Sequence, residues 1–304
     1  MRKQLCEALL VRQTRSDMVF ITGDLGFMAL EPLQAAMGDR FINAGVAEQN
    51  MVAVAAALSC QQLDVWVYSI APFVYARPFE QVRNDIAFHN LPVKLIGNGG
   101  GYAYGVMGPT HHAIDDYGAL LLLPNMSVYV PAFEQDVSIT VDRAGDSLRP
   151  AYIRLGLVQQ LPSGYVVPPY EPYRRLTQGS GPTVVVVGPL ASVYISRLEE
   201  MPENLRPNLW VVTELSIDQS PPPLELIAEL KNGHPLVVAE EHVRNGGYAS
   251  NLLLHLASLG VSIKTFKHLY ATAHHFETYG SQTFLRQQSK LDVNSMYEAI
   301  QECY

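Results

Sequence analysis

Leu5, Ala8 and Leu9 fall at helical spacing, and Val19–Thr22 follows as a short β-branched run closed by Gly23-Asp24. The chain therefore opens as a helix and then a strand. The alternation continues with strand Phe41–Asn43, a helix from Ala47 to Gln61, and strand Val65–Tyr68. A helix over Phe79–Phe88, with Phe79, Val82 and Ile86 on one face, precedes strand Val93–Ile96. Leu120–Leu123 closes a further helix, Ser127–Val130 reads as a strand, Ala132–Ala144 as a helix and Ala151–Arg154 as a last strand. Strands that are apolar throughout and alternate with helices predict a parallel sheet covered on both faces.

Between Leu161 and Pro182 the pattern lapses into Pro, Gly, Tyr and Ser, without a period, and this stretch is expected to be a linker. Beyond it, Thr183–Val187, Leu209–Thr213, Leu236–Ala239 and Val261–Phe266 are strand candidates separated by helix-like segments. The expected fold is thus α/β: a first domain over 1–160, a linker over 161–182 and a smaller α/β domain over 183–304. No repeat at a fixed period is present.

The chain has 304 residues, 48% of them hydrophobic and 16% charged, with Lys plus Arg numbering 21 against 29 Asp plus Glu. The formal charge of −8 makes nucleic acid and anionic membrane poor partners. So little charge for so much apolar composition points to a large covered interface. Three scattered cysteines, Cys6, Cys60 and Cys303, do not build a disulfide framework or a Cys-based zinc site. No signal core or membrane-length apolar run is found, and the cytoplasm is the expected compartment.

The most informative chemistry lies in Gly45-Val46-Ala47-Glu48-Gln49-Asn50, which is followed by an unbroken apolar run from Met51 to Leu58. A carboxylate at the start of a buried helix can simply complement the helix dipole, or it can serve a site. Gly97-Asn98-Gly99-Gly100-Gly101 follows a strand but lacks a dinucleotide-binding spacing. In Gly108-Pro109-Thr110-His111-His112 the adjacent side chains diverge, so one histidine facing substrate is a better reading than a metal pair. Phe73 and Phe79 flank Arg77, either as core residues or as an aromatic wall. Glu240-Glu241-His242 reads either as an acid/base cluster or as a strand end running into a solvated helix start.

Taken in order, GVAEQN, the PF…R…FEQ segment and GPTHH resemble the pyrimidine-binding domain of transketolases. The Pro-rich stretch and second α/β domain resemble the transketolase C-terminal domain, as does Tyr279-Gly280-Ser281-Gln282. The resemblance implies thiamine diphosphate as cofactor. Glu48 then matches the glutamate that hydrogen-bonds the aminopyrimidine N1′ and promotes loss of the thiazolium proton. Phe73 matches the aromatic residue packed on that ring, with Phe79 and Arg77 as its neighbours. His111 matches a histidine facing the reacting carbons of the sugar, and Arg154 matches an arginine that binds the substrate's phosphate.

Two departures from the family pattern sharpen the expectation. The Gly-Asp-Gly motif that holds Mg2+ and the diphosphate is absent, the nearest segments being Gly23-Asp24-Leu25-Gly26 and Gly145-Asp146-Ser147. The chain thus resembles the C-terminal subunit of a split transketolase. It is expected to join an N-terminal diphosphate-binding subunit in an α2β2 heterotetramer. Secondly, Met107 stands where the family usually has an aspartate that binds a donor-sugar hydroxyl, which implies an atypical sugar substrate. The reaction expected is transfer of a two-carbon ketol unit to an aldose or other aldehyde. The alternatives are a pyruvate-using enzyme, resembling deoxyxylulose-phosphate synthase or the β subunit of a 2-oxo acid dehydrogenase, and a non-catalytic interaction subunit.

Overall fold

The computed structural model describes residues 1–15, 17–275 and 277–304. Its first half runs α1 (Arg2–Arg12), β1 (Met18–Thr22), α2 (Glu31–Met37), β2 (Phe41–Asn43), α3 (Glu48–Cys60) and β3 (Asp64–Ile70). It continues through α4 (Ala71–Tyr75), α5 (Phe79–Gln81), β4 (Lys94–Asn98), α6 (Asp116–Leu121), β5 (Ser127–Tyr129), α7 (Asp136–Asp146) and β6 (Ala151–Leu155). The six strands form one parallel sheet in the order β2-β1-β3-β4-β6-β5. β1, β4 and β6 are buried along their whole length, as an apolar strand covered on both faces must be. The helix expected over Phe79–Phe88 is one turn of α5 passing into a π-helical turn over Val82–Ala87, with Val82 and Ile86 buried.

The second half contains β7 (Tyr173–Thr177), β8 (Thr183–Val187), α8 (Ala191–Glu199), β9 (Asn208–Val212), α9 (Leu224–Lys231) and β10 (Leu236–Glu240). It ends with α10 (Tyr248–Ser258), β11 (Phe266–Tyr270), α11 (Gln282–Gln288) and α12 (Val293–Gln301). The sheet order is β11-β10-β8-β9-β7, parallel except for β7.

Two sequence expectations are corrected here. The Pro-rich stretch contains β7, which pairs antiparallel with β9 at the sheet edge with a register irregularity between Arg175 and Thr177. Its partner strand supplies its order, so no local period announces it. The last strand begins at Phe266, where Val261–Phe266 was expected. After Gly260 at φ +69°, Val261 turns into the core instead and its N–H donates to Leu256 O.

The two sheets share one apolar core, in which Tyr117 and Tyr152 pack with Tyr173 and Trp210. Backbone hydrogen bonds cross the seam from Val130 N to Thr213 O (2.8 Å) and from Leu215 N to Val128 O (2.9 Å). Arg174, on β7, grips the buried Asp136 of the first domain through both terminal guanidinium nitrogens, at 2.9 and 2.5 Å. Such fork-to-fork pairing is directional and strong. Among the described residues no helix is long and apolar enough to cross a membrane.

Candidate functional site

In a parallel sheet the carboxyl ends of the strands are where loops gather functional side chains. Asn43 ends β2, and Glu48, Phe73 and the loop from Gly99 to His111 follow the carboxyl ends of β2, β3 and β4. α3 starts at Glu48 with Ala47 as its N-cap, which offers no side-chain oxygen to the first turn. Its face of Met51, Val52, Ala55, Ala56 and Ser59 is buried. That apolar packing fixes the helix and leaves the Glu48 carboxylate only 5% exposed at its positive end.

A cavity of about 450 Å³ opens here, lined by Val46, Ala47, Glu48, Gln49, Asn50 and Arg77. Arg77 Nη1 donates to Glu48 Oε1 at 2.6 Å, and its guanidinium lies 3.8 Å over the ring of Phe73. The Phe73 ring in turn meets His111 edge-on, with centroids 5.1 Å apart. Glu48, Arg77, Phe73 and His111 are therefore one contiguous group. Burial first, and then the Arg77 charge, hold the His111 imidazole below its ordinary pKa. It is neutral at neutral pH and able to donate one hydrogen bond while accepting another. Thr110 Oγ1 lies 3.0 Å from its Nδ1. Met107 is 54% exposed, one residue before Gly108.

A larger hollow of about 610 Å³ lies between Leu121–Met126, Leu215–Gln219 and α10. It borders the amino ends of β5 and β6, and its only ionisable side chains, Arg149, Asp218 and His255, are not buried. The smaller cavity has the buried acid and the converging loops, and it is the better candidate site.

The structure places three groups elsewhere than the sequence suggested. Phe79 is half-buried and packs against the core, with α5 against α3, and among the described residues no ring contact links it to Phe73. Arg154, expected to bind a phosphate, is 4% exposed and pinned in the seam. Its Nε lies 3.1 Å from Asp116 Oδ2, and its Nη2 donates to Ala113 O at 2.6 Å and to Glu241 O at 2.9 Å. Glu240, Glu241 and His242 are neither a solvated helix start nor an open acid/base cluster, being 0%, 7% and 1% exposed. Glu240 accepts from Tyr117 Oη at 2.7 Å and from the N–H groups of Tyr248 and Ala249. His242 stacks on Tyr117, with centroids 4.1 Å apart. The two histidines of GPTHH do diverge: His112 is 2% exposed, between Tyr102 and His274, while His111 faces Phe73. Among the described residues no group of three His, Cys, Asp or Glu could hold a metal.

Sequence reasoning assigned Tyr104 no role and marked Tyr279 only as part of a C-terminal segment, not as a neighbour of the His111 loop. Tyr104 is held by Asn98 Nδ2 at 2.6 Å and stands 6.4 Å from the His111 ring. Tyr279 lies against Gly108. A tyrosine shortly before a tight glycine turn was a signal for the first, but the second is a contact between residues far apart in the chain.

Residues 8–156 match the family described as "Transketolase, pyrimidine binding domain". One of the subunits of the apulose-4-phosphate transketolase of Actinobacillus succinogenes is 28% identical over 289 residues, covering 93% of this chain and 91% of that one. The 1-deoxy-D-xylulose-5-phosphate synthase of Rhodopirellula baltica is 26% identical over 276 residues, which cover 90% of this chain but 42% of that enzyme. Among solved structures, a chain described as "Split gene transketolase, inactive beta4 tetramer" superposes with a TM-score of 0.81 at 27% identity, covering 99% of this chain and 97% of that one.

Proposed function

Since this chain belongs to the transketolase family, we propose that it supplies the pyrimidine-binding half of a thiamine diphosphate site. A separate subunit holds the diphosphate and Mg2+, and the pair transfers a two-carbon ketol unit from a ketose to an aldehyde. The observation that carries this reading is the buried Glu48 carboxylate at the mouth of the 450 Å³ cavity, grouped with Phe73 and His111. The likeness to one subunit of a transketolase, over 91% of that subunit, supports this reading.

The residues present suit the aminopyrimidine end of the cofactor, since a buried carboxylate with a half-buried aromatic ring nearby and polar Gln49 and Asn50 in the cavity lining fit a flat heterocycle with ring nitrogens and an amino group. When bound, the cofactor supplies a nucleophilic carbon and an electron sink for the transferred unit. Glu48 is the acceptor for a ring nitrogen proton, through a charge-assisted bond that is short and directional away from water. Phe73 excludes water from that carboxylate, and Arg77 orients it. His111, neutral, is placed to hydrogen-bond the substrate oxygen that gains charge. Met107 presents a thioether where a hydroxyl would find no acceptor, which favours a sugar deoxygenated or otherwise modified at that point. An α2β2 assembly in the cytoplasm completes the proposal.

Co-expression with a diphosphate-binding subunit, followed by thiamine diphosphate titration, tests it. The pair should bind the cofactor and transfer ketol units, and the isolated chain should bind it weakly. Tight binding of thiamine diphosphate and Mg2+ by the isolated chain would overturn the split-site reading. Release of CO2 from pyruvate by the pair would favour the pyruvate-using alternative, and full activity of a Glu48→Ala pair would rule out the role given to Glu48.

A further inference from the structure

The loop carrying His111 is held from the second domain. Glu241 accepts the Tyr102 N–H at 3.0 Å, Gln282 Nε2 at 3.1 Å through both oxygens and Arg286 Nη2 at 2.8 Å, tying the base of the loop to α11. Ser281 caps α11 by accepting the Phe284 N–H at 3.2 Å. The chain just before this cap lies directly on the loop. A Cβ at Gly105 would stand 2.6 Å from Gly280 O, and one at Gly108 would stand 2.4 Å from Tyr279 Cε1. Gly108 also has φ +84°, so both its conformation and its closeness to Tyr279 require glycine.

Against that backbone the Tyr279 ring is 63% exposed, and Val106 and Met107 beside Gly108 are 69% and 54% exposed. Gly108 O accepts the His111 N–H at 3.0 Å, so the backbone against which Tyr279 lies is one turn from the residue facing the substrate. We propose that Tyr279 is a specificity-determining residue, contributed by the second domain. With Val106 and Met107 it forms an uncharged lip that selects a substrate presenting a deoxygenated methylene or methyl face. This rests on the ketol-transfer reading above and adds to it a residue from the other domain and a substrate class. A hydroxyl turned toward this lip loses water without gaining a partner, whereas a methylene gains apolar contact. An apolar site discriminates against one added hydroxyl by at most about 10²-fold in kcat/KM.

The test uses the reconstituted pair with thiamine diphosphate, Mg2+ and a saturating ketose donor. It compares kcat/KM for 3-hydroxypropanal and D-glyceraldehyde, which differ by one hydroxyl. The wild-type pair should prefer the deoxygenated aldehyde. Tyr279→Ser should reduce the preference about tenfold, and Tyr279→Phe should keep it, because the ring and not its hydroxyl makes the lip. A preference unchanged in Tyr279→Ser, or absent from an active wild-type pair, overturns the inference and leaves the ketol-transfer reading standing. Loss of subunit assembly in Tyr279→Ser, with the substrate ratio of the residual complex unchanged, also overturns it and makes Tyr279 a contact residue. No thiamine-dependent transfer by the wild-type pair overturns both.

Discussion

Arg77, 43% exposed along its side chain, donates across 2.6 Å to Glu48, whose side chain is 5% exposed. The guanidinium thus joins the Phe73 ring, 3.8 Å beneath it, to a carboxylate at the start of α3. Removing the acid should leave the fold intact, since α3 is held by its apolar face and not by its first residue. Glu48→Ala is expected to lower kcat of the reconstituted pair by about 10²–10⁴, the range for a lost proton-transfer group, with the elution volume of the complex unchanged.

Met107→Asp restores an acceptor beside Gly108. The ratio of kcat/KM for hydroxylated over deoxygenated substrates is expected to rise by about 5–150-fold, the equivalent of ~1–3 kcal/mol for satisfying one hydroxyl. Competition between the two substrates in one assay measures it directly.

Arg154 should behave as a structural residue. Arg154→Met leaves Asp116, at 0% exposure, without its cation and frees the carbonyls of Ala113 and Glu241. Breaking a buried pair from one side costs about 3–5 kcal/mol, which urea unfolding will show as a lower midpoint at unchanged slope. A raised KM for phosphorylated substrate with undiminished stability would return Arg154 to the phosphate role.

His112 is neutral in the fold, because burial first, and then the charge of His274, push its pKa from an ordinary 6.5 down to about 4. Between those values the unfolded chain binds a proton that the folded chain refuses, so stability falls as pH drops through that window. The melting temperature should decline from pH 6.5 toward pH 4. The decline should be shallower in His112→Gln, which has no proton to take up. Parallel melting curves for the two proteins would show that His112 does not contribute.

The alternating apolar strands and helices of the first domain were legible from sequence because every strand but the edge strand β2 is buried on both faces and shows it as a continuous run, as in Val65–Tyr68 and Ala151–Arg154. Glu48 was legible because a charge is conspicuous at the head of eight apolar residues. β7 was not, since the buried Arg174 and half-buried Arg175 find their partners, Asp136 and Glu229, on other elements. Arg154 and Arg77 differ little as letters in a sequence, yet one is locked between two domains and the other reaches solvent. Local pattern therefore determined the elements, the fold class and the position of the acid, because burial on one face or both leaves a period in the chain. Only the packing of the two domains decided which cations are free to meet a ligand and which tyrosine borders the His111 loop. Hydrogen-bond partners and shared surfaces between distant segments leave no such period.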